Sequence, residues 1–557
     1  MADRGGLALA CLLVLCAVVS GRWLLAIPFD QAPDEFAHVH YNVRVLLAER
    51  RLPVMGVDDT SAYLTPRSNP TGRLVARYSY ANTPVPYIGH ALTAWVGTRL
   101  AGTDPVTGAR VFSWLCVLAF VAAVHAAARA AGAPPAASIA GAALVGLVPQ
   151  VLFLGAYVNQ EAFSLAASGV LLWALAVDAR RRTPASMACV GLAAGWLPLG
   201  RLSFWVLIPY VAAWAAWRMW RAPTLAASAK LGLAAGLSAL AVCAVPLARN
   251  FWLYGDVTGL DDALRMMREA QGVVIEPRVT VQALSQLVAR GFLSMTARSA
   301  VMTFDHMNLL VPIPYLYRVV DAVLLAAAVL VFAVLVRARD RCAIYGAALL
   351  ASLATAALAL HAYNAVVFDY QPQGRYLFVV LAPLGVYAAW VGGRHAAVRR
   401  VTAMVAAALL VLTWLADQTV ADAYRRFNDP TVAAARALAL GESRRIVLDE
   451  QVDVSAPGLS GARIELAVEP SYDVAFYGLE VIEPDSGSVI RRAFVHPWEW
   501  RHTSSPVFTF RPIVQSLSQV RLRVFTEHPG VHPFLIRRGC GPGDDSVRGP
   551  ACITLVY

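Results

Sequence analysis

The stretch "FDQAPDEFAHVHYNV", residues 29–43, sets Asp34, Glu35 and His38 directly behind an apolar run at 7–27. A carboxylate beside a histidine can take a proton from a hydroxyl or hold a divalent metal. A helix that starts at Asp34 or Glu35 and runs to about Arg51 puts Asp34 and His38, four residues apart, on one face. The plainer reading makes Asp34 an N-cap and Glu35 a partner of the helix dipole. Acids at a membrane edge are costly, however, unless something there uses them. Glu161 of "YVNQEAF" opens a later apolar run and is the second candidate acid, to position an acceptor or to share a metal with Asp34. Three arginines stand at the ends of apolar runs: Arg201 in "PLGRLSF", Arg249 in "ARNFWLYGD" and Arg375 in "QPQGRYLF". A lone arginine there usually snorkels to the interface. A guanidinium is also the side chain that grips a phosphate with two parallel hydrogen bonds.

Weaker candidates accompany these. "YANTPVPY", 80–87, reads as a stiff turn, and Asp305-His306 as a solvated pair or a site member. Trp498 and Trp500 in "HPWEWRH" suit packing better than sugar stacking. Cys540 and Cys552 bracket a polar loop and suit a disulfide in an oxidising compartment. The other six cysteines lie in or beside apolar runs and pack there.

The elements that must hold these residues are mostly helices in a bilayer. The chain is 58% hydrophobic and 15% charged over 557 residues, well below the usual charged share of a soluble protein, about a quarter. Apolar runs long enough to span about 30 Å of hydrocarbon recur up to residue 420. The formal charge of +11 comes from arginine clusters between those runs, with Lys230 the single lysine; they form no basic stripe for nucleic acid. "DARRRTP", "RMWRAP", "RARDR" and "GGRHAAVRR" read as cytoplasmic loops. With these inside, every polar candidate except the clusters themselves falls on the outer face. Parity then requires an odd number of crossings before "RRR", so the short segment 85–101 is read as interfacial or re-entrant and about eleven true crossings remain. The run 7–27 is an uncleaved anchor with its N-terminus cytoplasmic. The expected fold is therefore a mainly α-helical polytopic membrane protein of about 11 transmembrane helices with a C-terminal all-β sandwich outside. Its divisions are a membrane domain, 1–420, with external loops at 28–84 and 248–315, a linker at 421–440, and a β domain at 441–557, where "ARIELAVEP" and "QVRLRVFTE" alternate with period two.

An anchor followed by "PDEFAH", together with "RNFWLYGD" and "QPQGRYLF", resembles the GT-C superfamily of membrane glycosyltransferases, whose members include protein O-mannosyltransferases and lipid A aminoarabinose transferases. The resemblance implies an inner-membrane enzyme that moves a sugar from a polyprenyl-phosphate donor to an extracytoplasmic glycan, lipid or protein. It implies catalytic roles for Asp34, Glu35 and Glu161, with Asp34 and Glu161 the ligands of any divalent metal. His38, Arg201, Arg249, Asn250, Gln373, Arg375 and Tyr376 are implied as substrate-binding. Relatives commonly carry Lys where this chain has Arg201 and Asp where it has Glu161. A lipid-linked glycan polymerase, ligase or flippase is the alternative, although a flippase needs polar residues along its path and most of these runs are Ala, Leu and Val.

Overall fold

Proline placement decides where the apolar runs bend and stop. The computed structural model describes residues 4–27, 29, 31–55, 58, 60–61, 75–76, 83–261, 280–304, 307, 309–367, 371–424, 445–455, 459, 461–464, 477–495, 507–509, 517–526 and 553–556. Asp305, His306, Trp498, Trp500, Cys540 and Cys552 lie outside them, as do the first three residues of "YANTPVPY" (80–82) and the linker from residue 425. The chain divides into two compact units: Met1–Glu35, Ala109–Arg249 and Pro277–Arg425 in one, Phe36–Gly108, Asn250–Glu276 and Arg426–Tyr557 in the other.

The first unit carries the membrane helices. Among the described residues eight are long and apolar enough to cross a bilayer: Gly5–Ala26, Pro105–Ala130, Glu161–Arg181, Leu225–Tyr254, Leu316–Ala338, Arg341–Val367, Gly374–Arg394 and Ala396–Tyr424. Against the eleven or so expected, the remaining apolar passages among the described residues are shorter: Pro135–Gly146, Pro184–Leu199 and the 14-residue helix Leu207–Trp220. The segment 85–101 is not among them. Its helix, Val85–Val96, has only 12 residues before a π-turn at Gly97–Ala101.

The two ends of this unit are fixed by contacts. At one end Pro135 packs on Gly5, Pro134 on Gly393, and Arg180 reaches Gly132. The arginine clusters meet in pairs there: Arg218 of "RMWRAP" donates to Asp178 of "DARRRTP" at 2.7 Å, and Arg394 of "GGRHAAVRR" to Asp340 of "RARDR" at 2.9 Å. Charge alone had put these four segments on one face. The passage expected as a single crossing at 136–157 is instead two helices, Pro135–Gly146 and Pro149–Leu154. Proline has no N–H to donate and pushes its predecessor out of the helical region; Val148 is accordingly extended, and the Thr413 hydroxyl donates to the Leu147 carbonyl in the gap, at 2.8 Å. Small residues let backbones touch. A Cβ on Gly141 would lie 2.3 Å from the Gly385 carbonyl oxygen, so Pro135–Gly146 lies hard against the helix that follows Arg375.

The second unit begins inside the helix Glu35–His38, which runs through a π-turn, Val39–Val43, into Arg44–Glu49. Two short strands, β1 (Thr60–Ser61) and β2 (Val75–Ala76), pair antiparallel. The C-terminal strands are β3 (Arg445–Asp453), β4 (Gly461–Ile464), β5 (Tyr477–Ile482), β6 (Val489–Val495), β7 (Val507–Thr509), β8 (Gln519–Thr526) and β9 (Ile553–Val556). They form two antiparallel sheets, ordered β3-β8-β5-β6 and β7-β4-β9. In β8 the period of two is plain: Val520, Leu522 and Val524 are buried, while Arg521 and Arg523 reach Asp449 of β3. The Arg44 guanidinium lies over the Phe525 ring at 5.4 Å, so residues from the N-terminal and C-terminal parts of the chain share this unit.

Candidate active site

Adjacent acids meet different fates at the end of the first unit opposite the arginine clusters. Glu35 is fully buried, and Arg110 grips it with two parallel bonds: Nε to Oε1 at 2.7 Å and NH2 to Oε2 at 2.6 Å. The same guanidinium donates to the carbonyls of Leu24 and Ile27 at 2.8 and 2.7 Å, where the first helix ends, and Val158 N donates to Glu35 Oε1 at 3.1 Å. Glu35 therefore ties the first helix, the Pro105–Ala130 helix and the 155–160 loop together. Both of its oxygen atoms are occupied in doing so. Sequence reading expected a catalytic role for Glu35; its burial and these bonds favour a structural one.

Asp34 stands just before the helix with φ at 61°, a left-handed conformation that costs an ordinary residue on the order of 1 kcal/mol. It therefore lies outside the helical register, and the shared face expected for Asp34 and His38 does not form. His38 pairs instead with Tyr87, Nδ1 to the phenol oxygen at 2.6 Å with the two rings stacked. The turn presents the Asp34 side chain 48% exposed. Arg375 NH2 donates to its Oδ2 at 2.9 Å.

Arg375 is the hub of the cluster and is fully buried. Its Nε donates to Gln373 Oε1 at 2.7 Å, its NH1 to the Tyr157 phenol at 3.2 Å, and Glu161 Oε1 lies 3.5 Å from Nε. Arg201 approaches the same Glu161 oxygen at 3.7 Å, donates through NH2 to the Tyr376 phenol at 2.8 Å, and lies over that ring at 5.0 Å. Tyr376 in turn donates to Gln371 and stacks on His361, 4.8 Å between centroids. Burial pushes the Tyr157 phenol up, so it stays neutral and accepts from Arg375. Burial works against the charge on Arg201, yet Tyr376 and Glu161 outweigh it and hold the guanidinium protonated.

Local sequence explains why these side chains arrive together. Asn159 Oδ1 accepts from Ala162 N at 2.8 Å, capping the Glu161 helix, while its Nδ2 donates to the Leu154 and Tyr157 carbonyls and shapes the loop. Gly200 lets "PLGRLSF" lie on that helix, because a Cβ there would meet the Ser164 hydroxyl at 2.2 Å; the same hydroxyl accepts from Arg201 N at 2.7 Å. Gly374 does the same for "QPQGRYLF". Its Cβ would lie 2.2 Å from Ala300 N, and its own N donates to the Ser299 hydroxyl at 2.7 Å.

Asp34, Glu161, Arg201, Gln373, Arg375 and Tyr376, all expected from sequence, thus converge in one unit. Asn250 closes the turn after its own helix by donating to the Val257 carbonyl at 3.0 Å, and Arg249 precedes it, half-buried. Sequence reading missed Tyr157 and Arg110. The signal for Arg110 was present, an arginine near the end of an apolar run like the three that were singled out. A divalent metal does not fit Asp34 and Glu161, since the Arg375 guanidinium stands between them and Arg201 flanks Glu161. Among the described residues no three His, Cys, Asp or Glu side chains gather as metal ligands.

No family model matches the chain, and no curated protein matches it. Several solved structures are similar to it. The Saccharomyces cerevisiae protein O-mannosyltransferase Pmt1-Pmt2 complex, bound to its sugar donor, is 15% identical over 46% of this chain and 34% of that one, with a TM-score of 0.34. The Archaeoglobus fulgidus oligosaccharyltransferase tethered to an acceptor peptide is 14% identical over 77% of this chain and 58% of that one, with a TM-score of 0.39. ArnT from Cupriavidus metallidurans, bound to undecaprenyl phosphate, is 17% identical over 69% of this chain and 77% of that one, with a TM-score of 0.26. The chain spans about a third of the first and under three fifths of the second.

Proposed function

We propose that this multi-pass membrane protein is a glycosyltransferase that moves a sugar from a polyprenyl-phosphate donor to a hydroxyl of an extracytoplasmic glycan, lipid or protein. The observation that carries the reading is the half-exposed Asp34 carboxylate, held by buried Arg375 at the membrane edge where Glu161 and Arg201 also converge. The donor's lipid tail would lie in the bilayer and its headgroup at this edge. Asp34 accepts the proton of the acceptor hydroxyl as that oxygen bonds to the anomeric carbon. The carbon–oxygen bond to phosphate breaks on the opposite side, so the anomeric centre inverts and a polyprenyl monophosphate leaves with the electron pair. Arginine charge stabilises the departing phosphate. On this reading the Asp34 end faces away from the cytoplasm of an inner membrane and the Asp340 end, rich in arginine, faces it.

The test is made in cells producing wild type or Asp34→Asn at equal levels, with polyprenyl-linked lipids compared by mass spectrometry. A polyprenyl-monophosphate sugar that accumulates only in the variant supports the transferase and identifies its donor. Unchanged monophosphate sugars with pyrophosphate-linked oligosaccharides building up would overturn it in favour of a polymerase or flippase.

A further inference from the structure

The two arginines of the cluster differ in what they have left to offer a ligand. Arg375 has no exposed surface, and each of its nitrogen atoms is committed: Nε to Gln373, NH1 to Tyr157, NH2 to Asp34. The N–H groups left over on NH1 and NH2 are buried with the rest of the side chain, so reaching a phosphate would require Arg375 to move, and a move that gives up Asp34 releases the carboxylate from the geometry that its left-handed backbone sets up. Arg201 is 22% exposed on its side chain and makes one side-chain hydrogen bond, to Tyr376, among the described residues. Its approach to Glu161, 3.7 Å, is an ion pair too long for a good hydrogen bond. Its flat face is steadied by the Tyr376 ring, which leaves donors on its edge.

Building on the transferase reading, we propose that Arg375 is a positioning residue that acts through Asp34, and that Arg201 alone of the pair meets the anionic oxygen atoms of a phosphate monoester. Glu161 is the counter-charge shared by both. With Asp34 and Glu161 ionised the four groups sum to zero. An arriving phosphate draws Arg201 from a long contact to Glu161, whereas Arg375 keeps both acids. The binding step and the proton-accepting step therefore depend on different guanidinium groups, although both touch Tyr376 and Glu161.

The experiment uses the full chain in lipid nanodiscs and measures binding of undecaprenyl phosphate, inorganic phosphate and uncharged undecaprenol, beside the cellular lipid assay. The expected result is that Arg201→Ala weakens undecaprenyl phosphate binding at least tenfold. Arg375→Ala keeps the wild-type affinity within about twofold yet loses transfer as Asp34→Asn does. Should Arg375→Ala not fold, Arg375→Lys serves: it keeps the charge but cannot span Asp34, Tyr157 and Gln373, so affinity again stays and transfer falls. Equal loss of affinity in the Arg201 and Arg375 variants overturns the division of labour while leaving the transferase reading intact. If wild type binds none of the three probes, or binds inorganic phosphate as tightly as the lipid, the lipid-donor reading itself fails.

Discussion

The two ends of the membrane unit use the same side chains to opposite effect. At one end Asp178 is fully buried and takes hydrogen bonds from Arg218, Ser186 and Trp214, at 2.7, 2.7 and 3.0 Å. Arg218 is buried with it. At the other end Asp34 is half-exposed, and two arginines crowd one Glu161 oxygen without either coming closer than 3.5 Å. The first is a bracket that joins three passages, the helices Glu161–Arg181, Pro184–Gly195 and Leu207–Trp220. The second keeps part of its charge at the surface: Asp34 is 48% and Arg201 22% exposed on the side chain. Glu35 with Arg110 repeats the bracket pattern next to Asp34, so exposure, rather than location, separates the structural carboxylates from the candidate for chemistry.

The largest effect that sharpens this contrast is at Asp34. Asp34→Asn should lower transfer by about 10²–10⁴, the usual worth of a positioned base, with yield and melting temperature of the purified protein unchanged. A melting point as depressed as in a bracket variant would erase the distinction. At the opposite end Asp178→Ala should do the reverse. It leaves Arg218 buried without its partner, at a cost of about 3–5 kcal/mol, read as a lowered melting temperature and poor yield. Molecules that do fold should bind undecaprenyl phosphate normally, because nothing at the Asp34 end has changed.

The eight long apolar helices were legible because hydropathy is a local property that the bilayer reads directly. Pro149 marked the break inside 135–154, but counting apolar residues alone hid it. Asp34 and Arg375 were legible by type and by their place at the ends of apolar runs, although 341 positions separate them. What could not be read was partner choice. Asp34 and Glu35 are neighbours with the same chemistry, and only Arg110, 75 positions away, settles that Glu35 is consumed. Tyr157 was passed over because a tyrosine in a loop carries no sign until a guanidinium is set against it. The division of the chain was hidden for a like reason: Phe36–Gly108 and Arg426–Tyr557 belong to one unit through contacts such as Arg44 on Phe525, which no linear change of composition announces.

A smaller effect tests whether the open cluster depends on close backbone approach. Gly374→Ala puts a methyl group 2.2 Å from Ala300 N, so the loop must lift and carry Arg375 with it. Displacements near 1 Å at a reacting group cost roughly 10² in rate, and transfer should fall by up to that factor, less than for Asp34→Asn. If instead transfer is normal, Arg375 is not held by this loop and the positioning argument loses its support.

The smallest expected effect is at Asp340, the counterpart of Asp178 at the same end, whose partner Arg394 is 47% exposed on its side chain. Hydrogen bonds from Arg394 and His395, both 2.9 Å, hold its carboxyl below the usual range. A carboxyl held low in the folded state adds stability that is complete above its ordinary value, about 4, and fades as pH falls through the lower folded value. Asp340→Asn should therefore melt slightly below wild type at pH 7, and the gap should narrow as the pH is taken from 5 towards 3. Solvent screening keeps the difference small. Transfer measured at pH 7 should not change, since Asp340 lies at the end opposite Asp34. A change in transfer without a change in melting would mean that this end takes part in the reaction, and the contrast between a holding end and a working end would have to be given up.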